Sequence, residues 1–288
     1  MDFDYSWEAL FHPENLPVFS EPKWVFEYEK SGFSLANAWW LANAAQLAYF
    51  DKAQIKSELE KINMELVAFF EKNGSQGFLA TENRFAVLAF RGTEIDEFED
   101  TWTDIQFPRV PFEPKGNVHS GFKKAFEQIW DQVEKKLVTL DALGIPCWYT
   151  GHSLGAALAT LAAARKKPAG LYTFGSPMVG DPYFVQHLRK IAAIRFTLCT
   201  DIVPMLPSEM VGYRHCGVHY FMTSQALMLK SPQRKEVFFS KLAGRLRYAA
   251  MLPWFKKGMV KARSLADHAI PNYIAAIRKN LERRGSLE

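Results

Sequence analysis

Residues 35–49 read LANAWWLANAAQLAY, an Ala- and Leu-rich run interrupted by Asn37 and Asn43. A segment apolar on almost every side predicts a largely buried helix. Downstream the hydrophobic pattern becomes short and extended: residues 64–70 (MELVAFF), 77–81 and 85–90 (FAVLAF) are separated by Asn73-Gly74 and Glu82-Asn83, the turn chemistry of an antiparallel meander. The period then changes again. Phe122, Phe126, Ile129, Val133, Leu137 and Leu140 recur every three or four residues and predict a helix ending near Gly144. Beyond it, strand-like runs at 147–150, 171–174 and 194–199 alternate with helical segments after Leu154 and over 183–190. This alternation predicts an α/β fold with a mostly parallel central sheet and helices around it. No internal repeat or low-complexity linker divides the chain, so residues 1–288 read as one domain.

The segment CWYTGHSLGAALA (147–159) places Gly151-His152-Ser153-Leu154-Gly155 between a strand and a helix of small residues. This is the G-x-S-x-G pattern in the strand–turn–helix setting where it exposes a serine on a sharp turn. Gly151 and Gly155 would be required because strand and helix pass too closely there for a Cβ. A serine hydroxyl needs a general base, an orienting acid and donors for an oxyanion. Asp201 follows the run IRFTLCT at a carboxyl end of the sheet, and His268 lies in a loop just before a helical run. Asp181 is the rival acid, although Asp181-Pro182 also reads as an N-cap followed by proline at the first helical position. His215 and His219, four residues apart and so on one face of an extended segment, read as structural rather than metal-binding. His152 points away from its neighbour and is not the base. The oxyanion donors would be the backbone N–H of Leu154 and, after the strand at 85–90, Thr93.

Composition narrows the class without choosing the substrate. With 288 residues, 48% hydrophobic, the chain can bury a large core, and a net charge of +4 does not suggest a nucleic-acid binder. Three cysteines in mostly apolar runs do not suggest a disulfide framework. The N-terminus carries acids where a secretory leader has bases, and the longest charge-free stretches are broken by polar residues. The expectation is a cytoplasmic or membrane-peripheral chain, with secretion left open.

Two segments stand out by charge. Residues 94–107 hold six acids and no base, with Ile95, Phe98, Trp102 and Ile105 at helical spacing, which reads as an amphipathic lid or as a fixed surface helix. From Lys230 to Arg263 there are ten Lys or Arg against the single acid Glu236, leaving the rest of the chain at −5. Within that stretch Phe239, Leu242 and Leu246 share one helical face and Lys241 and Arg245 another, and Trp254, Phe255, Lys256 and Lys257 follow. An insertion over 223–265 would be either a cap on an acyl pocket or a helix that lies in a lipid interface.

Taken together, AFRGT (89–93), VHSGF (118–122), GHSLGAALA, FGSPMVGD, DIVPMLP and Asp267-His268 followed by Tyr273 resemble the class 3 lipases, the fungal-type triacylglycerol lipases. The resemblance implies an α/β-hydrolase fold, a Ser153–Asp201–His268 triad, an oxyanion hole from Thr93 and Leu154, a lid directly after Thr93, and neither metal nor cofactor. The function to expect is hydrolysis of carboxylic esters through an acyl-enzyme, on acylglycerols. The alternatives are a phospholipase on anionic membranes and a catalytically silent lipid-binding protein.

Overall fold

The structure is a computed structural model and describes residues 2–20, 23–30, 32–92 and 108–285. Its centre is an eight-stranded sheet in the order β1-β2-β3-β6-β7-β8-β9-β10. Strands β1 (Glu65–Lys72), β2 (Ser75–Thr81) and β3 (Ala86–Phe90) form the antiparallel meander. The turn between the first two is Asn73-Gly74, both at positive φ (48° and 81°), the conformation a tight hairpin needs to match strand twist. A small hairpin, β4 (Arg109–Pro111) with β5 (Asn117–His119), stands outside the main sheet.

The parallel part runs from β3 through β6 (Cys147–His152), β7 (Gly170–Phe174) and β8 (Ala193–Leu198) to β9 (Val218–Met222), and β10 (Met228–Lys230) closes the edge antiparallel. These inner strands are apolar on both faces because helices cover both. On one face lie α2 (Leu35–Leu47) and α9 (Ile270–Gly285), packed on Phe174, Phe196 and Tyr220. On the other lie α4 (Ser120–Ala142) and α5 (Leu154–Arg165), packed on Leu88, Tyr149 and Leu171. The remaining helices are α1 (Trp7–Phe11), α3 (Lys52–Lys61), α6 (Pro182–His187), α7 (Arg234–Met251) and α8 (Arg263–Ala266).

The two asparagines that interrupt α2 in sequence act as bolts. Asn37 Oδ1 accepts from Glu27 N (2.7 Å) and Asn43 Oδ1 from Phe19 N (2.7 Å), pinning the N-terminal strap to a helix that is otherwise buried on nearly all sides. The stripe expected on α4 is the buried face, Phe122, Phe126, Ile129, Val133, Leu137 and Leu140.

The basic segment departs from its sequence pattern. In α7 the buried residues are Gly244 and Tyr248, while Phe239 (64% exposed), Leu242 (44%) and Leu246 (64%) face solvent. Gly244 decides this orientation, since a Cβ there would lie 2.6 Å from Cys199 Sγ and only a glycine lets the helix sit so close. Lys241, expected beside Arg245 on the open face, is instead half-buried with Nζ 3.4 Å from Met205 Sδ. The expected lid, 94–107 with Ile95, Phe98, Trp102 and Ile105, lies outside the described residues.

Replacing Phe126, which is fully buried under α4, with alanine is expected to lower unfolding free energy by about 3–5 kcal/mol, read as a fall in the denaturant midpoint.

Candidate active site

Strand β6 ends where α5 begins, and Ser153 occupies the turn at φ 55°, ψ −128°, a conformation an L-residue holds only when its surroundings impose it. The imposing contacts are steric. A Cβ on Gly151 would lie 2.3 Å from the Gly155 carbonyl carbon, and one on Gly155 would lie 2.1 Å from Phe90 O at the end of β3. Ser153 N donates to Phe174 O on β7 (3.1 Å), which fixes the turn to the sheet. Leu154 opens α5, so its amide is among the first-turn N–H groups that have no partner inside the helix.

Ser153 Oγ lies 2.9 Å from His268 Nε2, and His268 Nδ1 lies 2.9 and 3.0 Å from the two oxygens of Asp201. All three are 2% exposed. Asp201 follows β8 as the sequence suggests, and its carboxylate is held from two further sides: Val203 N donates to Oδ1 (2.9 Å) and the Tyr273 hydroxyl to Oδ2 (2.6 Å). Tyr273 in turn accepts from Leu198 N (3.0 Å), so the acid is bridged to the end of its own strand. Burial and the adjacent Asp201 charge push the Tyr273 phenol well above its usual range, so it stays a donor.

The rival acid has a different job. Asp181 caps α6, accepting from Phe184 N (2.8 Å), and also accepts from the Asn117 backbone and side chain (3.0 and 2.8 Å). Against the effect of burial, those bonds hold its carboxyl below the usual value. It ties β5 to α6 and does not contact His268.

His152 contributes through its ring and not as a base. Its Nε2 lies 2.7 Å from the backbone oxygen of His268, and its Nδ1 2.9 Å from the hydroxyl of Tyr49. Burial, and then the charge of His268, keep it well below the ordinary imidazole pKa, hence neutral. Sequence reasoning missed this brace; the Ala-rich helix preceding Tyr49 gave no polar signal. It missed a second one. Asp267 accepts from Thr200 N (2.9 Å), Thr200 Oγ1 (2.8 Å) and Arg263 Nε (3.0 Å), while Arg263 Nη1 donates to Gly244 O on α7 (2.8 Å). The neighbours of Asp201 and His268 in the chain are thereby bonded to each other.

His215 and His219 separate. His215 Nε2 meets Pro204 O (2.7 Å) ahead of β9, and His219 on β9 meets the Thr197 hydroxyl (2.7 Å). Among the described residues no group of three His, Cys, Asp or Glu is placed to hold a metal ion. Thr93 lies outside the described residues.

The model of the family described as lipase (class 3) matches residues 87–211, from β3 through the elbow and Asp201. Over that segment the chain is similar to the class 3 lipases. It is 40% identical over 164 residues to a secreted mono- and diacylglycerol lipase of Fusarium solani, covering 52% of this chain and 48% of that one. Among solved structures, lipase II of Rhizopus niveus superposes with a TM-score of 0.56 at 25% identity, over 67% of this chain and 83% of that chain. A triacylglycerol lipase described as having a serine protease triad as its catalytic centre gives 0.56 at 22% identity, over 67% and 80%. The fold is that of these α/β-hydrolase neighbours. The chain spans about half the length, or less, of the curated relatives it matches.

Burial holds His119 down to about 4 and His219 to about 3, both neutral in the folded protein and free to protonate at ordinary pKa when unfolded. The unfolded state therefore binds more protons below about pH 6.5, so stability is full above that pH and falls as pH drops toward 4. Urea midpoints measured from pH 7 to 4 should show this decline, and His219→Gln should flatten it.

Proposed function

We propose that the protein hydrolyses carboxylic esters of acylglycerols through an acyl-enzyme on Ser153. The observation that carries this reading is the unbroken hydrogen-bonded line Ser153 Oγ–His268–Asp201, set on a strained turn at the carboxyl end of a parallel sheet. The names of the Fusarium, Rhizopus and Penicillium relatives support the substrate class.

In this mechanism His268 Nε2 takes the Ser153 proton as Oγ attacks the ester carbonyl. Asp201 fixes the Nδ1–H tautomer and stabilises the imidazolium that forms. The tetrahedral oxyanion sits at the start of α5, where the Leu154 amide faces it, with Thr93 as the second donor. Collapse returns the proton from Nε2 to the leaving alcohol. Water, deprotonated by the same nitrogen, then attacks the acyl carbonyl and releases the fatty acid with Ser153 restored. Tyr273 and the Val203 amide bond Asp201 while leaving His268 Nδ1 to it. The silent lipid-binding alternative has no comparable support, since each triad partner is in hydrogen-bonding range.

Surface contact with lipid is a second part of the reading, with segment 94–107 as the lid. The exposed apolar side chains of α7, together with Trp254 (79% exposed), stand among the exposed cations Arg245, Lys256 and Lys257. That mixture suits an interface of anionic head groups, each cation near the surface adding about 1 kcal/mol. No helix among the described residues is long and apolar enough to span a membrane. A phospholipase would use the same surface; release of lysophospholipid in place of diacylglycerol products would identify it.

A fluorophosphonate probe should label the wild type and not Ser153→Ala. With p-nitrophenyl esters, Ser153→Ala and His268→Ala should each lose on the order of 10⁴-fold in kcat, with Asp201→Asn somewhat less affected. Asp181→Asn should retain turnover; if it proves the more damaging aspartate variant, the acid is misassigned. Reversing Arg245, Lys256 and Lys257 to glutamate should abolish sedimentation with anionic vesicles while soluble-ester turnover holds.

A further inference from the structure

Strand β8 (AIRFTL) places a cation inside the sheet. Arg195 pairs across to Thr173 on β7 and His219 on β9, and its side chain lies on the face covered by α5 and α6. The residue is half-buried, and its Nε is sealed from solvent without a hydrogen-bond partner. Arg263 shows how this chain normally treats a buried guanidinium: an ion pair to Asp267 and a bond to Gly244 O. A sealed N–H without an acceptor carries an unrepaid desolvation cost.

Arg195 lines a small cleft (≈ 250 Å³ of empty volume) with Thr160, Thr173, Ser176, Arg214 and Cys216, and no Asp or Glu is in its wall. The hydroxyls donate to backbone oxygens of Ala156, Ile194 and Pro177, and Arg214 Nη1 to those of Glu209 and Tyr213. The donors left over belong to the two guanidiniums. The charged and titratable groups facing Arg195 do not neutralise it. His215 and His219 are held neutral, by burial first and by Arg195 second, and burial pushes the Cys216 thiol up to about 11. The carboxylate whose charge reaches it, Glu209, is 53% exposed and already 3.7 Å from Arg234.

We infer that Arg195 and Arg214 form a binding site for a small monovalent anion of halide size. The cleft has room for about one water-sized particle. Arg214 is exposed and forms the outer wall of the cleft, Arg195 the inner one; water there could satisfy Nε, whereas an anion would satisfy it and also offset the two like charges.

The test is thermal unfolding at constant ionic strength with sodium chloride exchanged for sodium gluconate, whose anion is too large for the cleft. Chloride should raise the midpoint along a saturating curve, by about 3 °C at tenfold excess over its Kd. Arg195→Met should remove the chloride dependence, and Arg214→Gln serves the same purpose if the first variant does not fold. Crystals soaked in bromide should show an anomalous peak at Arg195 Nε. Equal wild-type midpoints in the two salts, or an undiminished chloride shift in Arg195→Met, would overturn the proposal. A shift with acetate larger than with chloride would overturn the halide assignment in favour of a carboxylate.

Discussion

The approach of α5 to the ends of β3 and β6 is the constraint on which the site depends. Gly155 against Phe90 O and Gly151 against the Gly155 carbonyl leave no space for a side-chain carbon. That contact forces Ser153 to positive φ at the turn where α5 begins. A larger residue at either glycine would move the helix, and with it Ser153 and the Leu154 amide together.

Around that fixed point Asp201 and His268 are held by separate pieces of chain. Asp201 is bonded through Tyr273 on α9 and through the Val203 amide, and the backbone of His268 is bonded by His152 on β6. Thr200, Asp267 and Arg263 join the two loops that carry the acid and the base, and Arg263 extends the tie to α7. Hydrogen bonds among buried groups are strong when every member is satisfied and costly when one is lost. The loops that carry Asp201 and His268 are therefore tied to each other by buried hydrogen bonds.

Charge is managed unevenly. Buried Arg263 is neutralised within the chain and the sealed Nε of half-buried Arg195 has no partner, while Arg245, Lys256 and Lys257 stand in solvent, as do Phe238, Phe239 and Trp254. Each exception to the rule that buried charges are paired and large apolar groups covered points to something outside the chain.

The sequence by itself determined the parts that rest on local rules. Period-two and period-3.6 patterns placed the meander, the stripe on α4 and the alternating strands and helices, because a covered face leaves a periodic trace. Glycine spacing marked the elbow, because backbone contact excludes Cβ wherever the chain folds this way, and the Asp181-Pro182 capping signature was readable because a cap is local. Tertiary structure alone decided which face of α7 is buried, since Gly244 and Cys199 are far apart in sequence and their contact outweighs the helix's own apolar stripe. It alone brought Tyr49 to His152 and Thr200 to Asp267, and left Arg195 Nε without a hydrogen-bond partner, because pairings between distant segments leave no periodic trace in the sequence.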